Sequence, residues 1–315
     1  MGDPTGDSAL AEQIVDAIHD LGGRHSGFRA VHAKGLVCAG TFTATPAAAA
    51  LTRAQHMQGE PVRATVRFSN GGGDPKTRDG AKDGRGLAAK LYLEDGSRTD
   101  MVAITLPQFF VRTPEDFLAF TRARKPDPDT GQPDMARLGE FLEAHPEALP
   151  AIQHALSQPP PASYAQLEYH GIHAFRWIAA DGSERWVRFS FRPAAGVAGL
   201  SEEEARELGA DYLQEELPAR LAEGPVEFDL EVAIAQEGDD PDDPTQAWPD
   251  DRERATVGRL SIEGLDTERE QDGDVLVFDP TRVTDGIELS GDAILRVRPD
   301  AYAVSVERRS GARRQ

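Results

Sequence analysis

The sequence VRATVRFS, residues 62–69, alternates apolar and polar side chains. A period of two predicts a β-strand with one buried face. Alternating or apolar stretches predict further strands at 87–93, 101–106, 165–178, 185–192, 226–236 and 255–263, after an extended segment over 28–43. Strands are therefore expected to form the core of the fold.

Helices are predicted between groups of strands and not after each strand. They cover 8–21, 133–157, 201–221, short segments that begin at Pro46 and Thr113, and a last stretch around Arg298. Because the order lacks βαβ alternation, it favours an α+β fold with one large antiparallel sheet, a β-barrel, in a single domain over 1–315. The glycine-rich segment 71–84 and the acidic segment 237–251 are predicted to be exposed loops.

The charge balance excludes several classes of partner. The 315 residues include 34 Lys and Arg against 54 Asp and Glu, which gives a net charge of −20 and a pI near 4.8. An acidic chain without a long basic run argues against binding to nucleic acid or to an anionic membrane surface. The start of the sequence lacks the basic and apolar regions of a secretory signal. With Cys38 as the single cysteine, we expect a cytoplasmic protein.

Three residues of the predicted last helix share one face. Arg298 and Tyr302 are four positions apart, and Arg309 follows seven positions later. A guanidinium beside a phenol favours the phenolate, a hard oxygen ligand of the kind that binds haem iron. A solvated arginine beside a packed tyrosine has the same spacing, so spacing alone leaves both explanations open. Pro299 lies inside this helix, where a proline can kink the axis.

A second candidate site contains His32, which small and apolar residues flank. Such a histidine can shuttle protons, although a packed core histidine has the same pattern. Arg29 lies an odd number of positions away, so both side chains reach one ligand only if the backbone is irregular. In the predicted strand over 62–69, Arg67 could bind an anion and Ser69 could orient a neighbouring histidine.

Eight segments carry a family resemblance when they are taken in order: Arg29–Gly35, Val66–Ser69, Arg85–Tyr92, Pro107–Arg112, Gly171–Phe175, Phe278–Pro280, Gly286–Glu288 and Arg298–Tyr302. Together they resemble the haem-dependent catalase superfamily, in the small form often called catalase-related peroxidase. The resemblance runs from residue 25 to about 309, and an ordered set of segments is more specific than any one motif.

The resemblance implies an antiparallel β-barrel with surrounding helices and haem b buried beside it. It assigns His32 as the distal acid–base residue and Ser69 as the hydrogen-bond partner of its imidazole. It assigns Tyr302 as the proximal iron ligand and Arg298 as its charge partner. It also implies that the haem propionates are bound by Arg29, Arg67 and Arg309. Val31 would line the approach of peroxide, and Phe117 would stack on the macrocycle. Phe109 and Phe110 would shape the distal side, and His173 would pack near a pyrrole edge.

One departure from the family pattern concerns the reaction. Large catalases have an asparagine in the segment before the Pro-x-Phe-Phe match, and Ile104 occupies that position here. The amide that would hydrogen-bond peroxide is therefore absent, and the neighbouring Thr105 is a candidate to replace part of its function. We expect a haem peroxidase that reduces hydrogen peroxide or organic hydroperoxides, oxidises small organic donors, and has weak or no catalase activity.

Two other functions stay open. The scaffold also resembles allene oxide synthase, so an isomerase or lyase of fatty-acid hydroperoxides is one alternative. The other is a haem-binding protein that lost turnover through Ile104, although the presence of both His32 and Ser69 favours an enzyme. The expected partners are peroxide and a small organic electron donor, with no nucleic acid and no membrane, and a homo-oligomer is left open.

Overall fold

Ten β-strands form one antiparallel sheet in the computed structural model, which describes residues 4–127, 129–132, 134–269 and 275–313. Side chains are described within residues 8–310 of these ranges. The strands are β1 (Gly35–Ala44), β2 (Val62–Asn70), β3 (Arg85–Tyr92), β4 (Arg98–Ile104), β5 (Tyr169–His170), β6 (Phe175–Ile178), β7 (Glu184–Pro193), β8 (Val226–Ile234), β9 (Arg254–Leu265) and β10 (Ile287–Leu289).

Eight of the described strands close into a barrel. The order around the ring is β1, β2, β3, β4, β5, β7, β8 and β9, and β9 pairs back with β1. Strand β6 pairs with β7 and carries β10 on its other side, outside the ring. A closed ring satisfies the hydrogen-bonding groups of its own edges. The predicted antiparallel barrel is confirmed.

The two faces of strand β2 have different surroundings. Val66 and Phe68 point into the barrel and are fully buried, together with Leu87 of β3. Full burial of a Val, Leu or Phe side chain contributes about 1.5–3 kcal/mol, so this interior holds the barrel together. Arg67 and Ser69, on the opposite face, are also buried, which shows that other segments cover the outside of the wall here.

Eight α-helices of the described residues surround the barrel, which confirms the α+β class. They are α1 (Pro4–Gly22), α2 (Pro46–Leu51), α3 (Pro114–Ala123), α4 (Met135–Ala144), α5 (Leu149–Ser157), α6 (Glu202–Glu207), α7 (Tyr212–Glu223) and α8 (Ala293–Arg313). Helix α3 begins as the sequence predicts, because Thr113 Oγ1 accepts a hydrogen bond from the backbone N–H of Asp116. Helix α1 packs against α3 and α8.

Several segments differ from the sequence-based expectation. The first part of the extended segment, 28–34, is irregular, and β1 begins only at Gly35. The expected strand over 165–178 is two short strands, β5 and β6, because the backbone between them leaves the ladder. The expected helix over 201–221 is broken into α6 and α7, since Leu208 after α6 has an extended backbone.

The acidic segment 237–251 is not uniformly exposed, so that expectation was wrong in part. Asp243 and Trp248 are buried. The Asp243 carboxylate accepts hydrogen bonds from the N–H and hydroxyl of Thr245 and forms an ion pair with Arg112 at 3.1 Å. These partners offset the cost of burying its charge.

The loop 71–84 also contains a buried acid. Asp79 is fully buried, where it accepts a hydrogen bond from the Asn70 amide and pairs with Lys34 at 2.7 Å. The loop is therefore fixed to the barrel by its own polar residues. Of the helices in the described ranges, none has the length and apolar character needed to cross a lipid bilayer.

Candidate active site

His32 lies in the irregular segment before β1 and has a left-handed backbone, with φ at 54°. This conformation is uncommon for a residue other than glycine. Two hydrogen bonds hold it, from His32 N–H to the Gly71 carbonyl at 3.0 Å and from Ala33 N–H to the Gly72 carbonyl at 3.1 Å. The imidazole Nδ1 lies 3.0 Å from Ser69 Oγ. A strained residue held by its surroundings is typical of functional sites.

Two glycines provide the space for this segment. A Cβ at Gly86 would lie 2.9 Å from Ser69 Oγ and 3.1 Å from both Cε1 and Nδ1 of His32. A Cβ at Gly35 would lie 2.1 Å from the carbonyl oxygen of Phe68. The close packing of the ring on the barrel wall therefore depends on glycine at both positions.

Ile104 and Thr105 have different surroundings at the end of β4. The strand register pairs Gly86 with both Ser69 and Ile104, and directly paired residues share one face of a sheet. Ile104 therefore lies on the face that carries the His32 ring. Thr105 Oγ1 accepts a hydrogen bond from the backbone N–H of Arg85 at 3.0 Å, which fixes the strand ends. A function of Thr105 in place of the asparagine stays a prediction.

The His32 imidazole is neutral at pH 7. Burial, followed by the positive charges of Arg67, Arg298 and Arg29, lowers the pKa of His32 to about 3. A neutral imidazole can accept a proton. The three arginines come from a barrel strand, the last helix and the irregular segment, so three separate elements supply the positive charge that acts on His32.

The three arginines predicted to bind propionates lie close to this region. Nη2 of Arg29 and Nη2 of Arg309 donate to the same carbonyl oxygen, that of Leu276, at 2.8 and 3.0 Å. Arg67 is buried and donates to the carbonyl of Ala33, next to His32, at 3.3 Å. Guanidinium groups bind carboxylates through strong charge-assisted hydrogen bonds. The cluster therefore fits a ligand with two carboxylates.

A chain of hydrogen bonds connects Tyr302 to a buried carboxylate. Arg298 Nε donates to Tyr302 Oη at 2.8 Å, and Arg298 Nη1 lies 2.7 Å from His173 Nε2. Because a guanidinium only donates, His173 Nε2 accepts and its Nδ1–H donates to Asp292 Oδ2, at 2.6 Å. Burial lowers the pKa of His173, and the Asp292 carboxylate opposes that shift.

This arrangement makes Tyr302 suitable as an oxygen ligand. The hydrogen bond from the Arg298 guanidinium stabilises a negative charge on the phenol oxygen. Asp292 is fully buried, and its Oδ1 accepts hydrogen bonds from the N–H groups of Ile294 and Leu295 at the start of α8. Helix α8 continues through Pro299, so the shared face of Arg298 and Tyr302 is preserved.

Three phenylalanines form an aromatic surface that is only partly buried, although large apolar side chains usually lie in the core. The ring centroids of Phe109 and Phe110 are 4.2 Å apart, and Phe117 lies 6.0 and 5.8 Å from them. The Phe109 N–H donates to the carbonyl of Pro244 at 2.8 Å, in the acidic segment 237–251. These rings, and the half-buried Val31 next to His32, offer contact to a flat apolar ligand.

Sequence reasoning missed two residues that shape the site. Asp292 precedes the last helix, and aspartate before a helix is a frequent N-terminal cap, so this signal could have identified it. The position of Gly86 opposite Ser69 follows only from the strand register, which the sequence does not show. His173 was predicted near a pyrrole edge, and the structure gives it the contact with Arg298 described above.

The residues present fit a haem on the chemistry of their groups. Tyr302 supplies a hard oxygen ligand that a guanidinium supports. The cluster of Arg29, Arg67 and Arg309 matches the two propionates of a haem, and the phenylalanines match its apolar face.

Two named relatives are similar to this chain over nearly its whole length. A catalase-related peroxidase of Mycolicibacterium paratuberculosis (strain ATCC BAA-968 / K-10) is 49% identical over 306 residues, 96% of each chain. A catalase-related peroxidase of Synechococcus elongatus (strain ATCC 33912 / PCC 7942 / FACHB-805) is 34% identical over 299 residues, 95% of this chain and 88% of the relative.

Solved catalases have the same fold. A bacterial catalase superposes with a TM-score of 0.81 at 26% identity, covering 91% of this chain and 58% of that protein. A fungal catalase gives 0.80 at 26% identity, with 91% and 60% covered. The family model of catalase matches residues 12–315. With this match over most of the sequence, the chain belongs to the catalase family.

Proposed function

We propose that this chain is a peroxidase that uses haem b to reduce hydrogen peroxide or organic hydroperoxides and oxidises small organic donors. The observation that supports this most is the presence of two hydrogen-bonded pairs, His32 with Ser69 and Arg298 with Tyr302. Arg298 is also one of the three arginines whose positive charge lowers the pKa of His32. The names of the relatives, catalase-related peroxidase, support the same choice.

Haem supplies the redox chemistry of peroxide cleavage when it is bound, and the chain's own residues control the proton. In the tautomer that fits, His32 Nδ1–H donates to Ser69 Oγ and leaves the Nε2 lone pair free to accept. Nε2 takes a proton from one peroxide oxygen and returns it to the other, which leaves as water or an alcohol. A positioned acid–base group contributes about 10²–10⁴ in rate.

Tyr302 would provide an oxygen ligand to a haem iron, and the hydrogen bond from Arg298 would stabilise the negative charge of that oxygen. Arginine stays protonated at every pH at which proteins are folded, so Tyr302 as a ligand would keep its positively charged partner. His173 and Asp292 fix the orientation of the guanidinium through the hydrogen bonds described above. These hydrogen bonds hold the Arg298 guanidinium in the position from which it donates to Tyr302 Oη.

Ile104 is the basis for proposing weak catalase activity. Its side chain shares a sheet face with Ser69 and offers no hydrogen-bond donor, where the family pattern has an asparagine amide. Catalase turnover requires a second peroxide to be positioned, whereas oxidation of an organic donor does not. Donor oxidation is therefore expected to exceed oxygen release.

Three reactions on one haem-loaded sample test the proposal. They are peroxide reduction with a chromogenic donor, oxygen evolution without a donor, and conversion of a lipid hydroperoxide without a donor. Donor oxidation is expected to dominate. Isomer formation without a donor would identify a hydroperoxide isomerase instead, and inactivity in all three assays would identify a haem-binding protein. Cytoplasmic location stays a prediction, and the oligomeric state stays open.

A further inference from the structure

Arg124 follows the last residue of α3 and lies over an aromatic ring. Its guanidinium carbon is 5.4 Å from the centre of the Phe120 ring. Partial desolvation of its guanidinium lowers the pKa of Arg124, and the negative charge of Asp83 opposes this shift. Within the described ranges, the side chain of this exposed arginine forms no hydrogen bond or ion pair.

Neighbouring cations at this end of α3 already have polar partners. Arg122 donates to the amide oxygen of Gln13 at 3.4 Å, and Lys125 pairs with Asp20 at 2.9 Å. The Asp83 carboxylate accepts a hydrogen bond from the Gly72 N–H at 2.8 Å, so it is held by the loop. Of these three cations, Arg124 is therefore the one whose positive charge is available to a ligand.

An aromatic path leads from Arg124 towards the candidate active site. The Phe120 ring lies 4.6 Å from Phe110, and Phe110 lies 5.8 Å from Phe117, whose rings are partly exposed. The loop 71–84, whose Asp83 charge acts on Arg124, also accepts the backbone hydrogen bond of His32. Arg124 thus lies at the end of α3 and at one end of this row of aromatic rings.

We propose that Arg124 binds the carboxylate of a hydroperoxide substrate whose apolar body packs along the partly exposed rings of Phe110 and Phe117. This inference rests on the peroxidase function proposed above and specifies its substrate class. The net charge of −20 repels anions from the protein as a whole. A carboxylate substrate therefore needs a local cation, and the aromatic path binds the rest of the molecule.

Linoleic acid hydroperoxide and its methyl ester form a matched pair of probes, since they differ only in the carboxylate. For the haem-loaded enzyme, we expect Arg124→Gln to lower the ratio of kcat/KM for the acid to kcat/KM for the ester by roughly five-fold, the size of a partly exposed ion pair. Arg124→Lys should restore part of the ratio. Added salt screens the repulsion by the net charge in both proteins and the attraction to Arg124 in the wild type alone, so the acid-to-ester ratio of the wild type should fall relative to that of Arg124→Gln as salt is added.

Arg122→Gln is the control, because it removes the same charge from the same helix end. An unchanged ratio in Arg124→Gln, or an equal fall in Arg122→Gln, would overturn the proposal. Calorimetric titration of the holoprotein with the corresponding hydroxy acid and its methyl ester gives a second readout that needs no turnover. If the wild type turns over neither hydroperoxide, the proposed peroxidase function fails. Binding of the hydroxy acid that is selective over its ester and depends on Arg124 would still support Arg124 as the carboxylate site. Equal binding of the acid and the ester would refute that site.

Discussion

Replacing Gly86 with alanine tests whether the position of the His32 ring controls the reaction. The added Cβ would lie 3.1 Å from two ring atoms of His32. Carbon contacts are normally about 3.5–4.0 Å, so the ring must retreat by roughly 0.4–0.9 Å. A displacement of about 1 Å costs on the order of 100-fold in rate. We therefore expect a loss of about ten-fold, or ~1.4 kcal/mol of transition-state stabilisation.

The assay is stopped-flow measurement of the reaction of haem-loaded protein with peroxide. Gly84→Ala is the matched control, since a Cβ there would meet nothing within 4 Å. Neither glycine has a positive φ, so alanine fits both backbones. The melting temperature of Gly84→Ala should stay close to the wild type, and any fall in that of Gly86→Ala reports the strain of the added contacts. Haem content is measured in each sample. A Gly86→Ala enzyme that binds haem and reacts at the wild-type rate would refute the reasoning.

Four further outcomes are expected. Tyr302→Phe should lose most of the haem or change the absorption spectrum grossly; an unchanged spectrum would remove Tyr302 from the site. His32→Ala should keep haem but react with peroxide about 10²–10⁴ times more slowly in stopped flow, and equal rates would make His32 a packing residue. Ile104→Asn should raise the ratio of oxygen evolution to donor oxidation by about ten-fold per 1.4 kcal/mol recovered, whereas an unchanged ratio in a haem-loaded variant would show that Ile104 does not limit catalase activity. Burial lowers the pKa of His56 to about 4, so the folded state resists protonation of this imidazole between about pH 6.5 and 4. The free energy of unfolding should therefore fall as the pH falls, by up to ~1.4 kcal/mol per pH unit. In urea unfolding at pH 7 and pH 5, His56→Gln should lose less of this free energy than the wild type.

The sequence predicted the barrel because its alternating segments are long and regular. The strand over 62–69 lies within β2 as expected, and the Thr113 cap begins α3. Short strands escaped detection, since β10 (Ile287–Leu289) is too brief to show a period. The break between α6 and α7 was missed because helical composition continues across it, while the backbone at Leu208 turns extended.

The site was predictable in its residues and not in its geometry. An irregular backbone was the stated condition for Arg29 and His32 to reach one ligand, and the structure has it, with the left-handed φ at His32. The single carbonyl that Arg29 and Arg309 share joins positions far apart in sequence, which no local pattern encodes. Such contacts depend on the tertiary fold, so only the resemblance to a family could suggest them.

The shared carbonyl of Leu276 has a consequence for biosynthesis. Arg29 precedes Leu276 by 247 positions, and Arg309 follows it by 33. The strands that close the barrel ring end at Leu265, so a nascent chain can complete the ring before Leu276, Tyr302 and Arg309 have left the ribosome. We expect haem capture to be the last step of maturation, and cells starved of haem to accumulate a folded barrel that awaits its cofactor.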